Sequence, residues 1–197
     1  MVADVIDTLA DIATGSPLDV ARNRRTVARQ QAQASYLGLF KPKSMAGVSA
    51  QERHAVACFV AGLHGQEQAE AFYGAGLTEV GGSGALKAAI ALAVAAGKTK
   101  GPYGAFPKGP LSVEDTTGPV YTVAPDIALA LGRRLVAAFE HTHMLVFHPR
   151  DAAAPSLQAL LDAGWSTTDV VTLSQLVAFL AFQIRVVAGL RVMATKV

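Results

Sequence analysis

The stretch SAQERHAVACFVAGLHGQEQAEAFYGAG, residues 49–76, organises the rest of this chain. Ser49 followed three residues later by Glu52 is the capping-box pattern that opens a helix. Gly65 stands where the end of a helix favours a residue that tolerates positive φ, and Gln66 can begin a second helix. The apolar residues of the first helix fall on one face: Ala55, Val56, Phe59, Val60 and Leu63. The stretch therefore predicts two helices that meet at Gly65, the first of them packed in the core.

Caps and apolar spacing predict helices in most of the remaining chain as well. The predicted spans are residues 4–13, 17–40, 85–96, 125–145, 155–163 and 167–193. Residues 98–124 are rich in proline and glycine and show no helical spacing, but they carry Tyr103, Phe106 and Tyr121 as aromatic anchors. A segment of this length is usually functional, and a lid and an arm to a neighbouring subunit fit it equally well. No strand pattern is present, so the sequence predicts an all-α fold.

The composition of the chain indicates one domain with a large apolar surface to cover. The 197 residues are 51% hydrophobic and 16% charged, which is apolar for a soluble monomer. The longest apolar run is interrupted by Gln175, Gln183 and Arg185, and Asp4 and Asp7 stand where a signal peptide would carry Lys or Arg. We therefore expect a cytoplasmic homo-oligomer rather than a membrane protein. A formal charge of +2 does not indicate a nucleic-acid partner.

Residues 164–192, GWSTTDVVTLSQLVAFLAFQIRVVAGLRV, carry a second informative pattern. A Gly-Trp-Ser helix start precedes an apolar helix in which Phe182, Arg185 and Leu190 follow the spacing F-x-x-R-x-x-x-x-L. This segment resembles the C-terminal signature of the carboxymuconolactone decarboxylase/AhpD-like family of alkylhydroperoxidase-like proteins. The resemblance implies a single all-α AhpD-like domain of about eight helices over residues 1–197, with a helical extension at residues 1–45. It also implies a peroxidase-related, antioxidant oxidoreductase.

The stretch 49–76 resembles the active-site region of the same family, which carries E-x11-C-x-x-C-x3-H there. With Gly65 as the glycine before the first cysteine, those positions are occupied by His54, Gln66, Ala69 and Tyr73. Cys58 is the chain's one cysteine, so no register yields a C-x-x-C pair. A thiolate and a resolving thiol are what peroxide reduction by this motif requires. We therefore expect that the redox centre is lost and that Cys58 is a buried, inert thiol.

Three functional hypotheses remain open from the sequence. In the first, the protein is a peroxidase-related member that has lost its thiol centre and acts without it or supports a catalytic partner subunit. In the second, His54 and Tyr73, with Gln66 nearby, form a cysteine-independent acid/base site for a small carboxylate or lactone. In the third, the chain is a non-catalytic subunit of an oligomer.

Two further groups of polar residues are candidates for binding a substrate group or a metal ion. Arg185 interrupts the last apolar helix and is the residue we expect to bind an anionic substrate group. Glu140, His143 and His148 have partial metal-ligand spacing, but the E-x-x-H pairing does not recur on a second helix. The sequence therefore predicts no metal and no cofactor.

Overall fold

The computed structural model describes residues 3–45 and 47–195, and within them the secondary structure is helical. The all-α prediction is confirmed for this part of the chain, where one isolated bridge between Gly104 and Thr116 is the sole β-type pairing. The helices are α1 (Val5–Ala10), α2 (Pro17–Asn23), α3 (Thr26–Phe40), α4 (Ala50–Leu63), α5 (Glu67–Glu79), α6 (Gly84–Gly97), α7 (Pro125–Phe147), α8 (Ala154–Asp162) and α9 (Thr167–Ala194). Short 3-10 helices lie at Pro110–Glu114 and Pro149–Asp151.

The predicted helix starts and stops are found at both informative stretches. Ser49 and Glu52 form the reciprocal capping box that opens α4, and Gly65 has a φ of 62°. Ser166 and Asp169 form the same device at the start of α9. These caps satisfy backbone N–H groups that have no partner within the helix. Because each cap joins residues three positions apart, the local sequence is sufficient to specify it.

Helix α4 lies at the centre of the fold, in contact with α5, α6, α7 and α9. Its Phe59 stacks on Phe139 of α7, with ring centroids 4.3 Å apart, and both side chains are fully buried. Helices α1, α2 and α3 pack against α9, so the segment expected as an extension contributes Ile6, Tyr36 and other residues to the main core. The two stretches singled out in the sequence thus supply the central helices of one core.

The predicted continuous helix over residues 17–40 is wrong, because α2 ends at Asn23 and α3 begins at Thr26. The break turns Arg22 and Arg29 toward the same acidic residues of α1. Arg22 pairs with Asp4 and Asp7, and Arg29 pairs with Asp7 and, at 2.7 Å, with Asp19 of α2. Helix α1 is also shorter than predicted, since Asp11 adopts a left-handed conformation with φ of 56°.

Helix α9 is the one helix of the described residues that is long and apolar enough to cross a membrane by length and composition. Half of the residues in its most apolar 18-residue stretch are buried inside the fold. Buried core helices of other proteins meet the same criterion of length and composition. Cytoplasmic location remains a prediction from the sequence.

Candidate functional site

The two-helix frame around Gly65 has a compact, mostly apolar interior. Gln66 is the half-buried N-cap residue of α5, and its side chain makes no capping hydrogen bond. Ala69, one turn further on, is buried. The positive end of the α5 dipole therefore faces an amide and a methyl group, neither of which can act as a thiolate nucleophile.

His54 and Tyr73 both contact the Phe40 ring. The centroid of Phe40 is 5.2 Å from that of His54 and 5.1 Å from that of Tyr73. His54 Nδ1 is 2.8 Å from the carbonyl oxygen of Ala50, and its ring lies over Gly76, where a Cβ would come within 2.5 Å of it. The two members of the proposed acid/base pair thus share Phe40 as an aromatic neighbour.

The Tyr73 hydroxyl donates a hydrogen bond to Oε1 of Gln183 on α9. Tyr73 is 1% exposed, and burial raises the pKa of its phenol, so the hydroxyl stays protonated. The polar atoms of His54 and Tyr73 therefore have separate partners in this structure. Their assignment as a catalytic pair, with Gln66, stays a prediction from the sequence.

Arg185 lies on the exposed side of α9, where Nη1 is 3.4 Å from the carbonyl oxygen of Ala181 on the preceding turn. The charge of Arg185 acts on His64, which is half-buried at the end of α4. Burial first, and Arg185 to a smaller extent, lower the pKa of His64. Binding of an anionic group by Arg185 would take place at the protein surface.

Cys58 is half-buried on the face of α4 toward α6. Burial and, secondarily, the charge of Glu70 raise the pKa of its thiol to about 12. At neutral pH the thiol is protonated, which is the weakly nucleophilic form. This agrees with the interpretation of Cys58 as an inert thiol.

A second group of polar side chains lies in a cleft of about 490 Å³ between α7, α8 and the end of the 98–124 segment. Its polar lining includes Glu140, His141, His148, Asp151 and Ser156. Its apolar lining includes Val120, Ala137, Met144 and Ala159. A volume of this size is typical of small-molecule sites.

His148 and Asp151 form an imidazole–carboxylate pair at one end of this cleft. Nδ1 of His148 is 3.0 Å from Oδ2 of Asp151, while the other carboxylate oxygen accepts a hydrogen bond from the backbone N–H of Ala105 at 2.9 Å. The Ala105 N–H and then the His148 contact lower the pKa of Asp151. Tyr103 stacks on the His148 ring at 4.8 Å between centroids, which fixes the plane of the imidazole.

His141 is the second histidine that lines the cleft. It is 5% exposed, and neither ring nitrogen has a hydrogen-bond partner in the protein. Burial lowers the pKa of His141, so its imidazole is neutral near neutral pH. Both nitrogens are enclosed by the protein, and a buried polar group without a partner is costly in a folded protein.

The 98–124 segment forms one wall of the cleft. Val123 donates its backbone N–H to Oε1 of Glu140 at 3.0 Å, and Tyr121 stacks on His143. Tyr103 and Tyr121 are buried, and Phe106 lies under the Arg150 guanidinium at 4.0 Å. The aromatic residues of the segment thus hold it against α7 and the turn that follows α7.

Glu140, His143 and His148, which were considered for a metal, each contact a different partner. His143 points away from the cleft, with Nε2 2.9 Å from the carbonyl oxygen of Gly97, and Glu140 holds Val123. Within residues 3–45 and 47–195, no cluster of three metal-ligating side chains occurs.

Sequence reasoning named His141 only beside the metal-type spacing of Glu140 and His143, and it missed the pairing of His148 with Asp151. The signal for His141 in the sequence was a histidine on an apolar helix face. That signal was not sufficient to predict the cleft, because the cleft forms only where residues 98–124 fold back onto α7. Comparison with known proteins gives no further guide, since no family model, curated protein or solved structure matches this chain. The AhpD-like resemblance therefore remains a prediction.

Proposed function

We propose that this protein is a cysteine-independent enzyme of alkylhydroperoxidase-like ancestry that performs acid–base chemistry on a small molecule in the α7–α8 cleft. The single observation that carries this proposal is the His148–Asp151 pair within a cavity of ligand size. With Nδ1–H donated to the carboxylate, Nε2 is the nitrogen that can take up and return a proton. The carboxylate orients the ring.

Three observations favour this site over the frame around Gly65. Tyr73 has its hydroxyl engaged by Gln183 and is 1% exposed. Cys58 has a thiol pKa of about 12, which argues against thiol-based peroxide reduction. His141, a lining residue of the cleft, has two ring nitrogens without a partner in the protein. The acid/base hypothesis from the sequence is therefore retained, with a different pair of residues.

The test is a turnover screen over small esters, lactones and organic hydroperoxides, followed by substitution. We expect turnover that falls by roughly 10²-fold or more in His148→Gln, because a positioned general base contributes this much. Cys58→Ala serves as the matched control and should keep wild-type turnover. If His54→Gln or Tyr73→Phe loses turnover and His148→Gln keeps it, the active site lies at the two-helix frame around Gly65 and not in the cleft. Hydroperoxide consumption lost in Cys58→Ala would establish thiol chemistry instead.

We also propose that the protein is a homo-oligomer and that the exposed face of α9 joins its copies. Val171, Phe182 and Val192 are 56%, 48% and 57% exposed on this face. The small residues Ala178 and Gly189 lie between them on the same face, since the successive spacings are seven, four, seven and three residues. The same face of a second helix can therefore approach closely. Sedimentation velocity should show an oligomer that Phe182→Asp dissociates and that Val113→Asp, at an 89% exposed loop position, leaves intact. A monomeric wild type would contradict this assignment.

A further inference from the structure

The carboxylate of the His148–Asp151 pair is not fixed by its own turn. Asp151 is the last residue of the 3-10 helix Pro149–Asp151, and 38% of its side chain is exposed. A partly exposed side chain can occupy several rotamers, whereas the contact of 3.0 Å between Oδ2 and Nδ1 of His148 needs a particular one. The residues that select this rotamer therefore decide whether the pair forms.

Gly104 and Ala105 reach this carboxylate from the 98–124 segment. The backbone N–H of Ala105 donates to Oδ1 of Asp151 at 2.9 Å, which leaves Oδ2 for the imidazole. Gly104 has a φ of 109°, and a Cβ at this position would lie 2.8 Å from both carboxylate oxygens of Asp151. A glycine is therefore required for the backbone to approach Asp151 this closely.

The backbone of Gly104 is itself held by Thr116. The Gly104 N–H donates to the Thr116 carbonyl oxygen at 2.8 Å, and the Thr116 N–H donates to the Gly104 carbonyl oxygen at 3.3 Å. This antiparallel bridge closes a hairpin, in which the backbone N–H of Phe106 also donates to Oδ1 of Asp115 at 2.7 Å. Because the bridge uses both polar backbone groups of Gly104, the hairpin sets the position of the Ala105 N–H.

Tyr103 holds the histidine of the pair. Its ring lies nearly parallel to the His148 imidazole, with an angle of 14° between the planes and 4.8 Å between the centroids. The Tyr103 hydroxyl donates to the carbonyl oxygen of Pro119 at 2.6 Å, and its backbone N–H donates to that of Phe147 at 2.9 Å. A Cβ at Gly118 would lie 2.3 Å from a carbon of the Tyr103 ring, so the chain also packs closely against this ring. Both ends of Tyr103 are thus fixed, and its ring restricts the plane of the imidazole.

We propose that Tyr103, Gly104 and Ala105 act as one positioning unit, which holds the His148 ring and the Asp151 carboxylate in the arrangement that proton transfer through Nε2 requires. This inference rests on the proposed function for the role of His148 and adds what controls that site. The three residues act through the pair, so they are positioning residues. The proline- and glycine-rich segment therefore orients the proposed base in addition to forming a wall of the cleft.

The first test observes the pair without any substrate. Nuclear magnetic resonance is recorded on the full chain with isotopically labelled histidine, and the ring signals of His148 are identified by their loss in His148→Gln. In the wild type near neutral pH, we expect Nδ1 to carry a proton that exchanges slowly with water, because it is donated to Asp151. A wild type in which Nδ1 of His148 carries no slowly exchanging proton would overturn the proposal.

Gly104→Ala tests the unit directly. The added methyl group would displace the Asp151 carboxylate, so the slowly exchanging Nδ1–H signal of His148 should be lost. Gly109→Ala, in the same hairpin, is the matched control and should retain the signal. A Cβ at Gly109 meets no atom closer than 3.7 Å, and its φ of 166° is ordinary extended backbone. An unchanged His148 signal in folded Gly104→Ala would contradict the inference.

Two variants of Tyr103 test the stacking separately, and they decide the question if Gly104→Ala does not fold. Tyr103→Phe keeps an aromatic ring over His148 and should retain the Nδ1–H signal. Tyr103→Leu removes the ring, and exchange of the same proton should become faster. Urea denaturation establishes that each variant is folded. Equal exchange in the two variants would show that the ring does not position His148, and the proposal of one unit would fail.

Turnover is measured separately, so the two proposals can fail separately. With a substrate from the turnover screen, Gly104→Ala should lower kcat roughly tenfold or more and leave KM within about threefold, since it misplaces a catalytic group without removing binding contacts. Turnover that depends on His148 and is unchanged in Gly104→Ala would support the proposed function and overturn this inference. Loss of the Nδ1–H signal in Gly104→Ala, together with no turnover by the wild type, would support the positioning unit and contradict the proposed function.

Discussion

Tyr73 and Gln183 form a hydrogen bond in the core between residues that are 110 positions apart in the chain. Gln183 is 0% exposed, and its Nε2 has no partner. The Tyr73 hydroxyl is therefore the partner of the amide oxygen, while the amide nitrogen has none. A glutamine within the apolar helix α9 indicated from the sequence that a polar partner was needed. The partner itself follows from the contact of α5 and α9 with the central helix α4.

Replacing Tyr73 by Phe should destabilise the fold without removing apolar contacts. The change leaves both polar atoms of the Gln183 amide buried and unpartnered, and we expect a loss of about 1–3 kcal/mol in the free energy of unfolding. Urea denaturation measures it. The control is Tyr36→Phe, where the phenol makes no hydrogen bond within the described residues and the change should stay within about 0.5 kcal/mol. Equal stabilities of the two variants would show that the Gln183 contact contributes nothing.

Helix α7 is interrupted at Gly132, which has φ of 74° and ψ of 159° inside the helical span. The interruption is followed by Arg134, whose Nε donates to Oε1 of Glu52 at 2.7 Å and whose guanidinium lies 4.2 Å from the centre of the Trp165 ring. The indole N–H of Trp165 in turn donates to the Arg134 carbonyl oxygen at 3.1 Å. The bend in α7 thus places one arginine against the start of α4 and the turn before α9.

Gly132→Ala should be destabilising through the backbone alone. A Cβ at Gly132 would meet no atom within 4 Å, but the conformation is one that residues with a side chain rarely adopt. We expect a loss of about 1–3 kcal/mol in the free energy of unfolding, measured by chemical denaturation.

The matched control is Gly38→Ala in α3, where space is also open and φ is helical. There we expect a gain of about 0.5–1 kcal/mol, because alanine loses less backbone entropy than glycine in a helix. A stabilising effect at Gly132 as well would show that the bend is not required by the fold.

Across the whole molecule, buried neutral histidines link stability to pH. Burial is the first cause that lowers the pKa of His64, His141 and His143 below the ordinary value of 6.5. His141 and His143 are buried along α7, and His64 is half-buried at the end of α4. Protonation would therefore bring charge out of water at each position. Folding therefore favours the deprotonated form at all three positions.

Stability should decline as the solution is acidified from pH 7.5 to pH 5. Above pH 6.5 these histidines are neutral in both the folded and unfolded states, and their contribution is fully present. As the pH falls through 6.5 and on toward the lower folded-state values, the unfolded chain binds protons first, and stability is lost. Urea denaturation at several pH values measures the slope, and His141→Phe should make it shallower. A wild type that is equally stable at pH 5 and pH 7.5 would contradict this prediction.

What the sequence determined by itself is the class of the fold and the ends of most helices. The caps at Ser49–Glu52 and Ser166–Asp169 and the turn at Gly65 are made by residues within one helical turn, so spacing alone predicts them. The absence of a C-x-x-C pair also follows from composition, because the chain has one cysteine.

Only the tertiary structure decided which polar residues share a site. The break between α2 and α3 accompanies ion pairs with α1, and the cleft forms where residues 98–124 return onto α7. His141 and the His148–Asp151 pair come to line one cleft because of this return. The hydrogen bond between Tyr73 and Gln183 in turn depends on the packing of α5 and α9. These contacts join segments that are distant in the chain, and local propensity carries no information about which distant groups a packed core brings together.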